Sequence, residues 1–257
     1  MSEPLLLAYI AAMGLVMGSA ITAIAYRIPR DKSWVHGRSA CPSCGHTLGF
    51  FDLIPVFSWA FSRGRFRHCK ASIPPRYPIT ELLCMAWALL LYRHLGLGWD
   101  FPLLAIWGFL MIALIWIDLD FQLLPDAITF PGTLIAVAAV LQWPGGARHA
   151  LLGVLVGSGL LWALAWGYFK LRKIEGMGGG DIKLAAMFGV PLGWKLTLLT
   201  LFLASLVGSL WGAYLMMRGK GHWRTPIPFG TLLAPAALIA FLWGERWMEA
   251  YLRLLRP

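Results

Sequence analysis

Six long stretches of the chain contain no charged side chain, and this feature limits the folds that the chain can adopt. A helix that crosses a bilayer needs roughly 20 mostly apolar residues at about 1.5 Å rise per residue. Only 13% of the 257 residues are charged, against about 25% in soluble domains. The sequence therefore predicts an all-α membrane protein. The uncharged stretches cover residues 4–26, 101–117, 127–147, 149–169, 196–217 and 225–244.

Two weaker stretches, 78–97 and 182–194, complete a predicted polytopic bundle of about eight transmembrane helices. The second of them is short and interrupted by Pro191 and Gly193, so we expect it to be partly re-entrant. The first apolar stretch meets Arg27 and Arg30 at its far end rather than at its start, which predicts a retained anchor. We predict three regions: residues 1–26 as the first transmembrane helix, 27–77 as a cytoplasmic loop, and 78–257 as the transmembrane core.

The distribution of Lys and Arg predicts the orientation of the bundle. Eight crossings would place sixteen of the 22 Lys and Arg residues on one face and six on the other. Because basic residues mark the cytoplasmic side, loop 27–77 should be cytoplasmic and both termini should lie outside. The net charge of +10 follows from this topology. Because the topology accounts for the positive charge, we predict that the basic face contacts anionic membrane lipid and that the chain has no nucleic-acid partner.

Loop 27–77 contains three cysteines at a spacing that is typical of part of a zinc ribbon. A Cys-x-x-Cys turn presents two thiolates, and a second such turn 20–25 residues later would complete a tetrahedral site. Here Phe66 stands where the fourth cysteine of that pattern would be. The sequence leaves two alternatives, a zinc site completed by a histidine and a loop with reduced thiols. The potential zinc ligands are Cys41, Cys44, Cys69 and His68, with His46 as an alternative fourth donor.

Two aspartates stand at the edges of apolar stretches. Asp118 follows the stretch 101–117, and Asp181 follows the glycine-rich turn 176–180 between two further apolar stretches. An ionisable side chain at a membrane boundary is costly, so it predicts a functional site. The topology places both residues at cytoplasmic helix ends. Two carboxylates held close cannot both ionise readily, which is the arrangement that aspartyl proteases use.

At this point the motifs identify a family: the chain resembles the type IV prepilin peptidases, which are polytopic aspartyl proteases of bacterial inner membranes. The resemblance covers nearly the whole chain. The matching stretches are Gly18-Ser19, Tyr26-Arg27-Ile28-Pro29, Cys41-Pro42-Ser43-Cys44-Gly45-His46, Ile54-Pro55, Ser58-Trp59, Arg76-Tyr77-Pro78-Ile79-Thr80-Glu81-Leu82, Ile117-Asp118-Leu119-Asp120, Leu124-Pro125-Asp126, Gly176-Met177-Gly178-Gly179-Gly180-Asp181-Ile182-Lys183 and Thr225-Pro226-Ile227-Pro228-Phe229-Gly230.

The resemblance implies that Asp118 and Asp181 are the catalytic pair and that 78–257 is an aspartyl peptidase core. Asp120 points roughly 200° around the helix from Asp118 at about 100° per residue, so we expect it to lie on the cytoplasmic rim. Asp126 follows a proline, and we expect it at the same rim. The residues that we expect to support the turn and the substrate are Gly178, Gly180, Lys183, Asp120 and Asp126.

The resemblance also implies the substrates, which are prepilins or pseudopilins with a short basic leader on the cytoplasmic side. Many family members then methylate the new amino terminus with S-adenosylmethionine. This chain departs from the family pattern at Thr22, at Phe66 and at Pro74-Pro75, which bears on methylation and on zinc. Peptidase chemistry itself needs no cofactor. The alternative functions are a membrane cation transporter, in which broken helices coordinate an ion, and a non-catalytic assembly scaffold.

Overall fold

The computed structural model describes residues 2–33, 37, 39–174, 177–218 and 228–254, and these residues form helices and loops without a strand. The fold is therefore all-α, as predicted. Short 3₁₀ turns cover Ile28–Arg30 and Phe50–Leu53. The helices are α1 (Glu3–Arg27), α2 (Phe57–Phe61), α3 (Arg76–Leu95), α4 (Asp100–Phe121), α5 (Asp126–Val140), α6 (Gly146–Arg172), α7 (Gly179–Met217) and α8 (Gly230–Leu254).

Four of the described helices are long and apolar enough to cross a membrane, namely α1 with its 3₁₀ extension, α4, α6 and α7. Helix α5 is apolar but shorter. It ends at Val140 although the uncharged stretch continues to 147, because Pro144 and the left-handed Gly145 (φ 70°) form a turn before α6. Helix α8 begins at Gly230, and residues 225–227 of the predicted eighth stretch lie outside the described residues.

Helix α7 reverses direction at Gly193, where the backbone has φ 62° and ψ −179°. A straight helix of 39 residues would be about 58 Å long at 1.5 Å per residue. Instead, Ala185 and Thr197 both lie against Gly157 of α6, at 3.0 Å from the position of an added Cβ. The predicted stretches 182–194 and 196–217 are therefore the two arms of a helical hairpin. The first arm runs antiparallel to α6 and the second runs parallel to it.

Small residues let several helices pack closely, as is typical in membranes. Gly14 and Gly18 of α1 lie against the backbone of α3, and a Cβ on Gly14 would be 2.7 Å from Met85 Cα. Helices α3 and α4 meet through Trp87, whose indole donates a hydrogen bond to the Leu104 carbonyl at 3.2 Å. Trp107 of α4 donates to the Met187 carbonyl of α7 at 3.0 Å. These contacts hold α1, α3, α4 and α7 in one bundle.

Antiparallel packing brings specific helix termini to one end of the bundle, which we call the aspartate end because it holds Asp118 and Asp181. The hairpin at Gly193 lies at the opposite end, against His149, whose ring nitrogen is 3.1 Å from the Pro191 carbonyl. The aspartate end contains the ends of α1, α4 and α6, the starts of α3, α5 and α8, and both termini of α7. Many of the basic residues accompany these termini, among them Arg27, Arg76, Lys170, Arg172, Lys183 and Arg218.

Candidate active site

Asp118 is in the last turn of α4 and is held by the first turn of α8. Its side chain is buried, with 4% of the residue exposed. Thr231 donates two hydrogen bonds to the Oδ2 atom of Asp118, from its backbone N–H at 2.6 Å and from its hydroxyl at 2.9 Å. The N–H groups of a first helical turn have no partner within the helix, so they bind a carboxylate readily. Asp118 is therefore fixed in one orientation by the start of a helix distant in sequence.

Gly230 permits this close approach. A Cβ at that position would be 3.0 Å from Asp118 Oδ2 and 3.1 Å from Leu124 Cδ1. Both distances are tighter than ordinary van der Waals contact, so a larger residue would push the start of α8 away from the carboxylate. The last glycine of the predicted motif at 225–230 thus has a steric role. Residues 225–227 of that motif lie outside the described residues.

Asp181 lies in the first turn of α7, which begins after Gly178. Its backbone N–H donates to the Gly178 carbonyl at 3.3 Å, and its side chain is half-buried. Gly180 packs against Leu124, whose Cβ would be 3.0 Å from an added Cβ. Among the described residues, none has a heavy atom within 4 Å of a Cβ added to Gly178 or Gly179. No described residue therefore blocks this side of the turn beside Asp181.

Asp118 is close enough to Asp181 to act on it electrostatically. Leu124 links their surroundings, because it lies against Gly180, which precedes Asp181, and against Gly230, which also lies against Asp118. Two acidic side chains from α4 and α7 thus share one half-buried region of the aspartate end. The sequence predicted these two residues as a pair, and the fold brings them together from positions 63 residues apart (181 minus 118).

The other two predicted carboxylates form ion pairs that cross helices. Asp120 pairs with the Arg76 guanidinium of α3 through two N–H groups, one of them at 3.3 Å from Oδ1. Asp126 accepts a hydrogen bond from Lys183 Nζ at 2.6 Å. All four of these side chains are partly exposed to solvent. At the rim, Asp120 therefore joins α4 to α3, and Asp126 joins α5 to α7. In contrast, the Asp118 carboxylate is held by the neutral donors of Thr231.

Loop 27–77 contains two turns with the same hydrogen-bond pattern. In the first, the Cys41 N–H donates to the His46 carbonyl and the Gly45 N–H donates to the Cys41 carbonyl, both at 2.9 Å. In the second, the Phe66 N–H donates to the Ala71 carbonyl and the Lys70 N–H donates to the Phe66 carbonyl, also at 2.9 Å. Each turn is closed by one antiparallel bridge, Ala40 with Thr47 and Arg65 with Ser72. The loop therefore has the backbone of a two-turn ribbon.

Three thiols converge between these turns. The sulfur atoms of Cys41, Cys44 and Cys69 lie within 4.8 Å of one another, and those of Cys41 and Cys69 are 3.5 Å apart. Zinc at about 2.3 Å from each sulfur in a tetrahedron would separate the sulfurs by about 3.8 Å, so the donor set fits the metal. His68 is not part of this group among the described residues, and its ring stacks on His46 at 4.2 Å between centroids.

Hydrogen bonds also prepare one of these thiols for a metal. Burial acts to raise the pKa of the Cys41 thiol, but hydrogen bonds from the backbone of Cys44 and Ser43 and from the Cys69 and Cys44 thiols lower it more, so the pKa lies below its ordinary value. The thiolate is the form that binds zinc. If zinc is bound, the three cysteines hold it, and a fourth ligand completes its coordination.

The sequence did not identify Thr231 or Leu124 as site residues. Thr231 follows the last motif at once, and a Thr after Gly at a helix start is a frequent N-terminal signal. That signal indicates a helix boundary, but it does not indicate which distant side chain the free N–H groups contact. Arg76 was recognised in a motif, without its partner Asp120.

Comparisons with known proteins identify the family of the chain. Residues 12–95 match the family model described as the bacterial peptidase A24 N-terminal domain, and residues 104–213 match the type IV leader peptidase family. A prepilin leader peptidase/N-methyltransferase of Stutzerimonas stutzeri is 34% identical over 95% of this chain and 93% of its own length. A protein with the same name from Aeromonas salmonicida (strain A449) is 39% identical over 84% of this chain and 74% of its own length. Another from Pseudomonas aeruginosa is 34% identical over 94% of this chain and 91% of its own length. No solved structure matches the chain. The two family matches and these identities show that the chain belongs to the type IV leader peptidase family.

Proposed function

We propose that this protein is a membrane aspartyl endopeptidase that removes the basic leader of type IV prepilins or pseudopilins, with Asp118 and Asp181 as its catalytic pair. The relatives are named prepilin leader peptidase/N-methyltransferase, which supports the substrate class. The observation that carries the assignment is the contrast among the carboxylates. Among the described residues, Asp118 and Asp181 have no Lys or Arg partner, whereas Asp120 and Asp126 are held in ion pairs.

The geometry supports a general acid and base mechanism. One carboxylate of a close pair stays ionised and takes a proton from a water that attacks the scissile carbonyl, while the protonated partner polarises that carbonyl. The two donors of Thr231 both bind Oδ2 of Asp118, which leaves Oδ1 to face the reacting groups. The titration belongs to the coupled pair rather than to either residue. No described residue occupies the space beside Gly178 and Gly179, and the substrate backbone would lie there.

The catalytic end is proposed to face the cytoplasm of a bacterial inner membrane. Basic residues mark the cytoplasmic side, and those of α1, α3, α6 and α7 accompany Asp118 and Asp181 at one end of the bundle. A prepilin presents its leader on that same side, ahead of its apolar helix. The bond to be cut would therefore arrive at the boundary where α4 and α7 hold their aspartates. Anionic lipid head groups would contact the same basic face.

We further propose that the new amino terminus is methylated by the same protein. The printed names of the relatives support this second activity. The methyl donor would be S-adenosylmethionine, and zinc bound by Cys41, Cys44 and Cys69 would hold loop 27–77 in its two-turn form. The cluster provides three of the four ligands of a tetrahedral structural zinc, and a fourth donor would complete it.

The test is leader removal from a model prepilin by the purified protein in lipid nanodiscs. We expect a product shortened by the leader with the wild type and none with Asp118→Asn or Asp181→Asn. A cation transporter or a silent scaffold would leave the prepilin intact in every sample, and that result would refute the proposal. Folding of each variant is checked by its thermal unfolding midpoint.

A further inference from the structure

A cavity of about 490 Å³ lies between the second half of α1, the start of α3 and loop 27–77. We call it the α1–α3 cavity. Its volume is within the range of about 300–1,000 Å³ that is usual for cofactor sites. The wall combines aromatic rings, basic groups and a buried carboxylate, among them Tyr26, Trp59, Tyr77, Arg27 and Glu81.

Among the described residues, Glu81 is a buried carboxylate without a counter-charge. Only 7% of the residue is exposed. Its Oε2 atom accepts a hydrogen bond from the Val56 N–H at 2.7 Å, and the Ser19 hydroxyl is its second partner. Both partners are neutral, and within the described part of the chain no Lys or Arg forms an ion pair with Glu81. A buried charge is costly unless it is compensated, so a cationic ligand in the cavity would stabilise it.

The second carboxylate of the wall differs in this respect. Asp52 forms an ion pair with Arg67 at 3.3 Å and accepts a hydrogen bond from the Gly49 N–H at 3.1 Å. Its charge is therefore compensated within loop 27–77. Glu81 is the carboxylate of the cavity wall that leaves a negative charge available to a ligand.

The Glu81 side chain also holds a strained turn of the loop. Val56 has φ 62° and ψ −51°, and the Phe57 N–H donates to the Pro55 carbonyl at 2.6 Å, which closes a γ-turn of the rare positive-φ type. A β-branched residue is rarely found in this conformation, and such strain concentrates at functional sites. The turn is followed at once by Ser58 and Trp59, which line the cavity. Through its hydrogen bond with Val56, Glu81 thus connects helix α3 to the part of loop 27–77 that lines the cavity.

We propose that the α1–α3 cavity binds S-adenosylmethionine and that Glu81 provides the negative charge opposite its sulfonium and ammonium groups. This inference rests on the proposed methyl transfer. Aromatic faces such as those of Tyr26, Trp59 and Tyr77 suit an adenine ring and a sulfonium cation. Arg27 suits the carboxylate of the ligand, because a guanidinium has five N–H donors. Two of its nitrogens donate to carbonyls of the loop, one of them to Gly37 at 3.1 Å.

The cavity adjoins the aspartate end, where a cleaved substrate would present its new amine. Tyr77 follows Arg76, which pairs with Asp120 of α4. The Arg30 guanidinium lies 4.1 Å from the Tyr26 ring centroid and 4.9 Å from that of Phe121. In the transfer, the unprotonated amine attacks the sulfonium methyl carbon, and a C–N bond forms as the C–S bond breaks. The electron pair of the broken bond stays on sulfur as a neutral thioether, and the methylated ammonium releases one proton to water.

The first experiment measures binding of radiolabelled S-adenosylmethionine to the full chain in nanodiscs by equilibrium dialysis, without substrate. Loss of a charge-assisted contact predicts that Glu81→Gln weakens binding by about ten- to hundredfold. Glu249→Gln is the matched control, because Glu249 forms an exposed ion pair with Arg253 in the last part of α8. It should bind like the wild type. Equal affinity of Glu81→Gln and wild type would overturn the assignment of Glu81.

A second measurement does not depend on the folding of a variant. Ultraviolet crosslinking of the labelled donor to the wild type should mark peptides that contain Tyr26, Trp59 or Tyr77, and label confined to other peptides would overturn the cavity. Ala23→Phe, which fills the cavity, should abolish binding and keep leader removal. A wild type that cleaves prepilin but binds no donor would refute both the cavity and methyl transfer, and it would leave the peptidase proposal standing.

Discussion

In the second turn of loop 27–77, Phe66 occupies the position that Cys41 occupies in the first turn. Each residue donates its N–H to a carbonyl five residues later and accepts a hydrogen bond from the residue four positions later. Both turns use a left-handed residue at equivalent places, Gly45 with φ 72° and Lys70 with φ 59°. Only 7% of Phe66 is exposed, and Cys41 is buried. The ribbon backbone is therefore retained although one of its four potential ligands has been replaced.

This equivalence predicts that Phe66→Cys creates a four-thiolate site. The substituted thiol would stand in the turn position that matches Cys41, so zinc retention after purification in chelator should rise toward one ion per chain. Zinc is measured by mass spectrometry of the purified protein. Phe66→Ala is the control, since it removes the ring and adds no ligand. Equal zinc content in Phe66→Cys and Phe66→Ala would contradict the prediction.

The proposed catalytic pair predicts non-additive losses. Asp118→Asn and Asp181→Asn should each abolish leader removal, and the double variant should be scarcely worse, because the two residues act as a unit. Asp120→Asn and Asp126→Asn each break a partly exposed ion pair, which contributes only about 0.2–1 kcal/mol. They should retain measurable cleavage in the same gel assay. Full cleavage by either variant of the pair would refute the assignment.

The hydroxyl of Thr231 predicts a graded effect on the reaction. Thr231→Val keeps the backbone N–H bond to Asp118 and removes the hydroxyl bond, so kcat/KM for leader removal should fall about ten- to hundredfold. Thr231→Ser should restore most of the activity. Thr133→Val is a matched control, because the Thr133 hydroxyl donates to the Thr129 carbonyl within α5. A wild-type kcat/KM for Thr231→Val would show that the hydroxyl is not needed.

Sequence patterns predicted the apolar helices and the pairing of Asp118 with Asp181, because both depend on local composition and on motif spacing. They did not predict the contact of Asp118 with Thr231, which joins residues 113 positions apart. Glu81 was recognised only as part of the matching stretch 76–82, without a partner. Its hydrogen bond to Val56 depends on how loop 27–77 folds back over α3. Such contacts arise from tertiary packing, and no periodicity in one chain contains them.

At the opposite end of the bundle, Pro191 and Gly193 also show what local sequence can predict and what tertiary packing determines. Their presence predicted an interruption of the segment 182–194. The direction of the chain after the interruption depends on the φ of 62° at Gly193 and on its contact with the His149 ring. The interruption was therefore visible in the sequence, whereas the reversal that forms two antiparallel arms was not.

Gly193→Ala should destabilise the protein. A side chain at this φ and ψ, which only glycine adopts readily, costs about 1–3 kcal/mol, and the added Cβ would also overlap the His149 ring. The free energy of unfolding, measured by denaturant titration in one detergent, should fall by at least that amount. Gly159→Ala is the control, because no heavy atom of a described residue lies within 4 Å of its added Cβ. In a helix it should be neutral or stabilising by about 0.5–1 kcal/mol. Equal destabilisation by both variants would argue against the reversal.

The proposed orientation of the bundle predicts which thiols a membrane-impermeant reagent can reach. If loop 27–77 is cytoplasmic, Cys41, Cys44 and Cys69 should stay unlabelled in intact cells, and at least one should react after lysis in chelator. Cys84 should stay unlabelled throughout because it is fully buried in α3. Leu97→Cys is the positive control, since the exposed Leu97 lies between α3 and α4, at the end opposite Asp118. That thiol should react in intact cells. If the native loop thiols react before lysis and the thiol of Leu97→Cys does not, the topology is the reverse of the one proposed. The proposed catalytic pair would then lie outside the cytoplasm.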